Sequence, residues 1–279
     1  PTKSTTTPST HLSKIQRSTS QQPNELLNPP AFTYAPPLSI PSREPDQSYP
    51  SYLWKCGRAY LSFYKASVSN VRQTAALAKS LRSKSAGTSG SPTDILSRAE
   101  WQITLRSRND MLRLPAFGII FLVCGEWTPL LVMYITPAVP EACRIPRQVE
   151  RVLAKSEQRR FERLRRIWLG SALCESSDAL ANVRVSDLDT LHLRKISARL
   201  DCHARVWDWL NLPPPGVLVK WSVGRRVEYL KRDDELIKRD GGWKELGEKE
   251  VHRACVERGI DVLGKKEGVL RGELGRWFG

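Results

Sequence analysis

Residues 114–139, "LPAFGIIFLVCGEWTPLLVMYITPAV", contain one charged side chain, Glu126, in 26 positions. At about 1.5 Å per residue, a helix of this length exceeds the roughly 30 Å hydrocarbon core of a bilayer. A soluble core helix so long would carry a polar face, and this stretch has none. A single membrane-spanning helix is therefore favoured over a buried hairpin. Pro129 and Pro137 each remove a backbone donor, so the span is expected to be kinked or tilted. No lysine, arginine or histidine lies in the stretch, so Glu126 has no counter-ion of its own there. An ionised carboxylate at mid-membrane costs roughly 2.5–3.5 kcal/mol, and burial favours its neutral form. Glu126 is thus a candidate for proton or ion coupling; the plainer alternative is a protonated acid bonded to carbonyls freed by Pro129.

The flanking charge gives an orientation. The chain carries a net charge of +15, and residues 144–166, "RIPRQVERVLAKSEQRRFERLRR", hold nine basic and three acidic side chains. Residues 167–279 are nearly balanced, with 20 basic and 18 acidic. The excess is a collar directly after the apolar stretch. Before it, only Arg98, Arg106, Arg108 and Arg113 lie at a comparable distance. The positive-inside rule then places residues 144–279 on the cation-attracting side, which in a mitochondrion is the matrix. Within the collar, Arg159, Arg160, Arg163, Arg165 and Arg166 are the candidate contacts for phosphate, whether of lipid headgroups or of RNA.

Residues 1–24 contain eleven Ser or Thr, three basic residues and no acid, the composition of a mitochondrial transit peptide. Residues 23–50 are Pro-rich and read as an extended linker; residues 1–50 together bury too little apolar area to offset ordering. Residues 51–113 form a helical pre-membrane region broken at "SKSAGTSGSP". Its second helix opens on the capping signal "SPTD" and carries Ile95, Ala99, Ile103 and Leu105–Leu112 along one side.

Beyond the apolar stretch, residues 147–169 continue as an amphipathic helix. An internal repeat follows. "LDTLHLRKISARLDC" (188–202) aligns with "LGEKEVHRACVERGI" (246–260) at an offset of 58, and "VKWSVGRRV" (219–227) with "LRGELGRWF" (270–278) at 51. Each copy reads as helix, loop, helix. The seven extra residues of the first copy fall around "WDWLNLPPPG", whose prolines oppose helix.

No motif here offers catalysis. There is no Gly-rich phosphate loop, hydrolytic histidine motif or carboxylate pair with a base, so the expectation is a protein that is no enzyme and needs no cofactor. The six cysteines (56, 124, 143, 174, 202, 255) form no C-x-x-C pair, and Cys202-His203 is a poor metal site. "DDELIKRDGG" lacks the alternating spacing of a calcium loop. Trp207 and Trp209 could stack on bases, but beside Leu210 and Leu212 they read better as core or loop anchors.

The run "DDELIKRDGGWKELGEKEVHRACVERGIDVLGKKEGVLRGELGRWF" resembles the C-terminal part of the ribosome-binding domain of the LETM family of mitochondrial inner-membrane proteins. Shared elements are "DD-x-L-I", "A-C-x-x-R-G" and "L-R-x-x-L-x-x-W". Before the apolar stretch, Leu96, Glu100, Leu105, Arg106, Asp110, Arg113 and Leu114 follow the family's lead into its span. The similarity covers roughly residues 93–279. It implies an all-α protein with one membrane-spanning helix (114–139) and a matrix ribosome-binding domain over 140–279. It also implies the mitochondrial ribosome and the inner membrane as partners, without a free small-molecule substrate. The implied function is mitoribosome binding in support of protein insertion and cation homeostasis. The alternative is a component of a potassium/proton or calcium/proton exchanger, which with one span would need a homo-oligomer or a partner to form a path.

Overall fold

The computed structural model describes residues 24–87, 92–124, 139–168 and 188–279, and these fold as helices joined by turns, with no strand among the described residues. The all-α expectation holds for them. Helix α1 spans Tyr49–Ala86; Pro50, in its first turn, sacrifices only a donor that would have no partner there. Its buried side chains Phe63, Tyr64, Ser67, Val71, Thr74, Ala78 and Leu81 recur every three or four residues and make one stripe. After the short α2 (Pro92–Ile95), helix α3 runs Arg98–Cys124 and continues through Pro115.

Helices α1 and α3 pack antiparallel. Lys84 meets Glu100 at 3.0 Å, Arg82 donates to the Thr104 carbonyl at 3.1 Å, and the Tyr64 and Phe117 rings lie 5.9 Å apart. Ala78 and Leu81 bury with Leu96, Trp101 and Ile103 at one end of the pair. Phe63, Tyr64 and Phe117 bury at the other, and there the chain returns: Val139, Ala142, Cys143 and Ile145 join the same cluster.

The described residues before and after the apolar stretch thus share a core. The single span expected at 114–139 is not shown by the structure. Among the described residues no helix is long and apolar enough to cross a membrane. Residues 125–138, with Glu126, lie outside the described residues.

Helix α4 (Pro146–Trp168) follows a 3-10 turn at Glu141–Cys143, and leads toward the C-terminal helices α5 (Thr190–Arg199), α6 (Arg205–Trp209), α7 (Gly216–Asp240), α8 (Glu248–Glu257) and α9 (Glu267–Phe278). Adding 58 to both ends of α5 gives both ends of α8, and adding 51 to the start of α7 gives the start of α9. Hydrogen bonds keep the register. Leu193 N–H to the Asp189 carbonyl (3.0 Å) matches Val251 to Gly247 (2.9 Å), and Cys202 to Ser197 (3.0 Å) matches Ile260 to Cys255 (2.9 Å). The first helix of each copy ends on a left-handed residue, Asp201 (φ 51°) or Gly259 (φ 72°). The extra residues of the first copy include helix α6, just ahead of the three prolines.

Part of the Pro-rich segment is packed. Residues 24–34 dock on the C-terminal helices instead of running free. Leu27 is fully buried with Ile237, Leu246 and Val251. Asn24 Nδ2 donates to the Asp240 carbonyl at 2.9 Å, satisfying an orphan acceptor at the end of α7. The Asn28 Oδ1 accepts from Gly247 N–H at 2.6 Å, capping the start of α8 from outside the helix. Low apolar content hid this docking, because two amide side chains and one leucine carry it.

Candidate functional site

Two charged assemblies stand out, one on the surface of α4 and one in the core. Of the five collar arginines, three turn inward. Arg159 meets Asp201 at 2.7 Å and Arg160 meets Asp261 at 2.6 Å. Arg163, almost fully buried, reaches Asp201 at 2.5 Å and also holds Asp208 through its Nε at 3.0 Å and through Nη2. It thus ties α4 both to the turn after α5 and to α6. Beside it, burial lowers the His203 pKa and the Arg163 charge lowers it further, against the pull of Asp208. The neutral ring contacts the Ser197 hydroxyl at 2.9 Å. Ser197 is fully buried, so this serine, histidine and aspartate brace a turn and present no nucleophile.

Arg165 and Arg166 remain exposed on α4. Arg147, Arg151 and Lys155 are exposed earlier on the same helix, and Phe161 is 67% exposed among them. Glu150 and Glu162 are the acids on that surface. Exposed cations on a helix that also exposes an aromatic ring suit a polyanion whose bases can stack.

The core assembly joins α3 to the C-terminal helices. Asp233 on α7 is fully buried between two arginines, Arg98 Nε at 2.9 Å and Arg258 Nη2 at 2.9 Å. Arg98 Nη1 continues to Glu250 at 2.9 Å and to the Leu27 carbonyl at 2.9 Å. Arg106 grips the same Glu250 with two bonds, 2.8 and 2.9 Å, and the Tyr34 hydroxyl donates to it at 2.6 Å. Arg258 also meets Asp234 at 2.5 Å, whose other oxygen accepts from the Trp277 indole at 3.0 Å. Burial would raise the Asp233 and Glu250 carboxyls, yet the arginines beside them outweigh it. Asp233 is held below the usual range and Glu250 is brought down to about 2.

A family model described as LETM1-like, RBD matches residues 155–279. This segment is therefore similar to a LETM1-like ribosome-binding domain. No curated protein and no solved structure matches the chain.

The motif residues of the LETM1-like domain now have structural roles. Asp233 and Asp234 of "DD-x-L-I" receive Arg258 of "A-C-x-x-R-G", and Trp277 closes over the pair. Gly259 follows Arg258 at φ 72°, where an added Cβ would stand 2.5 Å from the Arg199 carbonyl oxygen. From the lead-in motif, Arg106 grips Glu250, and Asp110 accepts the Glu141 N–H at 2.7 Å. The packed unit therefore starts well before residue 155, since α3 closes the domain's own charge core. Trp207 is half-buried, whereas Trp209 is 84% exposed and anchors nothing. Among the described residues no group of three or more His, Cys, Asp or Glu could hold a metal ion. Sequence reasoning missed Arg98, Glu250 and Tyr34. The available signal was an ionisable residue on an apolar helix face: Arg98 precedes Ala99, and Asp233 shares its face with Leu230, Leu236 and Ile237.

Proposed function

We propose that this chain is a mitochondrial inner-membrane protein whose LETM1-like domain faces the matrix and holds the mitochondrial ribosome there. The adaptor role supports insertion of newly made membrane proteins, and cation homeostasis follows from the proteins so inserted. The observation that carries this reading is the division of labour along α4. Arg159, Arg160 and Arg163 are occupied by aspartates of their own domain, while Arg165, Arg166, Arg147 and Lys155 are exposed on the same helix, as is Phe161. The outward set is the ribosomal RNA contact in this account.

Four phosphate contacts release about as many counterions, so log affinity falls against log salt with a slope of about −4. The test is binding of the purified chain to mitochondrial ribosomes across a potassium chloride series. A slope near that value is expected. Affinity that does not change with salt would remove α4 as the contact.

A further inference from the structure

The second copy of the repeat serves as a control on the first. Offset by 51, the second helix of each copy buries the same two positions, Val219 and Val223 in α7 and Leu270 and Leu274 in α9. On the outward side the copies part. Helix α9 carries Gly268 and Gly272, both exposed, with no atom within 4 Å of an added Cβ among the described residues. Helix α7 carries Val217, 81% exposed, and Trp221, 61% exposed, at the matching places, with Leu218 exposed between them. The helix pair therefore folds without apolar side chains at those outward positions. Helix α6 and the turn after it, which the second copy lacks, expose four more: Val206, Trp209, Leu210 and Leu212.

All seven fall within sixteen residues, 206–221 (221 − 206 + 1). The two tryptophans alone leave on the order of 300 Å² uncovered, which already reaches the size of the largest apolar patch on a typical monomer, and larger patches mark sites for a partner. The surface is held in place from beneath. Arg163 on α4 binds Asp208 of α6, so the exposed ring of Trp209 stands on an element tied to the folded domain. Leucine and valine neither stack on a base nor bind a phosphate, so a nucleic acid would leave most of this surface unused. The occupant is a protein.

Charge and spacing narrow it further. Arg205, Lys220 and Arg225 are exposed on the same elements, and the Arg225 guanidinium lies 4.8 Å from the centre of the Trp221 ring. The neighbouring acids are taken, Asp208 by Arg163 and Glu228 by Arg232. The rim is cationic, and its complement is acidic. Val217, Trp221 and Arg225 follow one another every fourth residue, a row about 12 Å long that a second helix laid along α7 would meet. We propose that α6 and the first two turns of α7 dock an amphipathic helix of a partner protein, with its apolar face on Trp209 and Trp221 and its acidic flanks toward Arg205, Lys220 and Arg225. This seat is separate from the RNA contact on α4 and does not rest on it.

The test uses the full chain in phosphatidylcholine nanodiscs and three fluorescein-labelled synthetic helices of about 18 residues, read by anisotropy against empty discs. The first helix carries leucine on one face and glutamate on the other, the second has lysine in place of glutamate, and the third scrambles the first. The acidic amphipathic helix is expected to bind at least about tenfold more tightly than the other two. Trp209→Ser with Trp221→Ser is expected to weaken it about tenfold or more, with urea unfolding unchanged because both rings are exposed. Val269→Ser, at the place in α9 that matches Leu218, is expected to bind as wild type does. Arg205→Gln with Lys220→Gln is expected to weaken binding and flatten its salt dependence. Should the double tryptophan variant lose stability, Trp209→Ser alone gives the reading. Equal binding of the three helices, or wild-type affinity in the tryptophan variants, overturns the proposal. So do two outcomes in which no helix binds. Wild-type dimers that the double variant does not form would give the surface to a second copy, and uridine-oligomer binding lost in that variant would give it to RNA.

Discussion

Arg98 and Glu250 stand 152 positions apart and meet in a buried ion pair of 2.9 Å. One comes from the helix leading into the apolar stretch and the other from the LETM1-like domain. Removing one partner leaves the other charge buried and uncompensated, which typically costs about 3–5 kcal/mol. Arg98→Met is expected to destabilise the chain by that amount in urea unfolding. An Arg98→Met chain as stable as wild type would mean that α3 is merely laid against the domain.

Acid should loosen the same core. Glu250 has its pKa brought from 4.5 to about 2, so its contribution is complete above pH 4.5 and is lost as pH falls toward 2. Asp233 is shifted in the same direction and adds to the loss. Stability measured against pH is therefore expected to fall between pH 4.5 and about 2. A Glu250→Gln variant starts less stable and shows a flatter fall over that interval.

The docked N-terminal segment gives a third expectation. Leu27 is fully buried among Ile237, Leu246 and Val251, so Leu27→Ala should cost about 2–5 kcal/mol. Loss of residues 24–34 should cost more, because the ends of α7 and α8 would also lose Asn24 and Asn28. Thermal unfolding of the two variants measures both, and a shortened chain with unchanged stability would return this segment to the status of a linker.

Much of this architecture was legible in the sequence, and the failures have physical causes. The helix pair of each repeat could be read because Val219, Val223, Leu270 and Leu274 are apolar at helical spacing, and hydrogen bonds confirm the offsets. The lead-in motif pointed correctly to Arg106. The packing of the chain on either side of the apolar stretch was not legible, because hydropathy reports how apolar a segment is, and not what its two ends pack against. The internal pairing of the collar was not legible for a related reason. Counting arginines on α4 says nothing of Asp201, Asp208 and Asp261, which reach them from distant loops. The docking of Asn24 and Asn28 has no hydrophobic signature at all.

The repeat predicts an asymmetry between its two turns. Gly259 adopts φ 72° against the Arg199 carbonyl, so Gly259→Ala is strained and crowded and should cost more than about 1 kcal/mol. Asp201 holds the matching position at φ 51°, a conformation Asn also tolerates. Asp201→Asn should therefore keep the turn and lose only its pairing with Arg159 and Arg163. Unfolding curves of the two variants are expected to separate clearly, with the alanine variant the less stable turn.

The division of the collar into an inner and an outer set is the central claim, and one comparison tests it. Arg165→Gln with Arg166→Gln changes the outer set, and Arg159→Gln with Arg163→Gln changes the inner one. Both pairs remove two charges. Co-sedimentation with mitochondrial ribosomes across a salt series, alongside urea unfolding of each variant, reads binding and stability together. The account predicts that the outer pair comes off ribosomes at lower salt with stability unchanged, its salt slope shallower by about 2. The inner pair should lose stability and, while folded, bind as wild type does. Wild-type binding by the outer variant, together with lost binding by a stable inner variant, would contradict it.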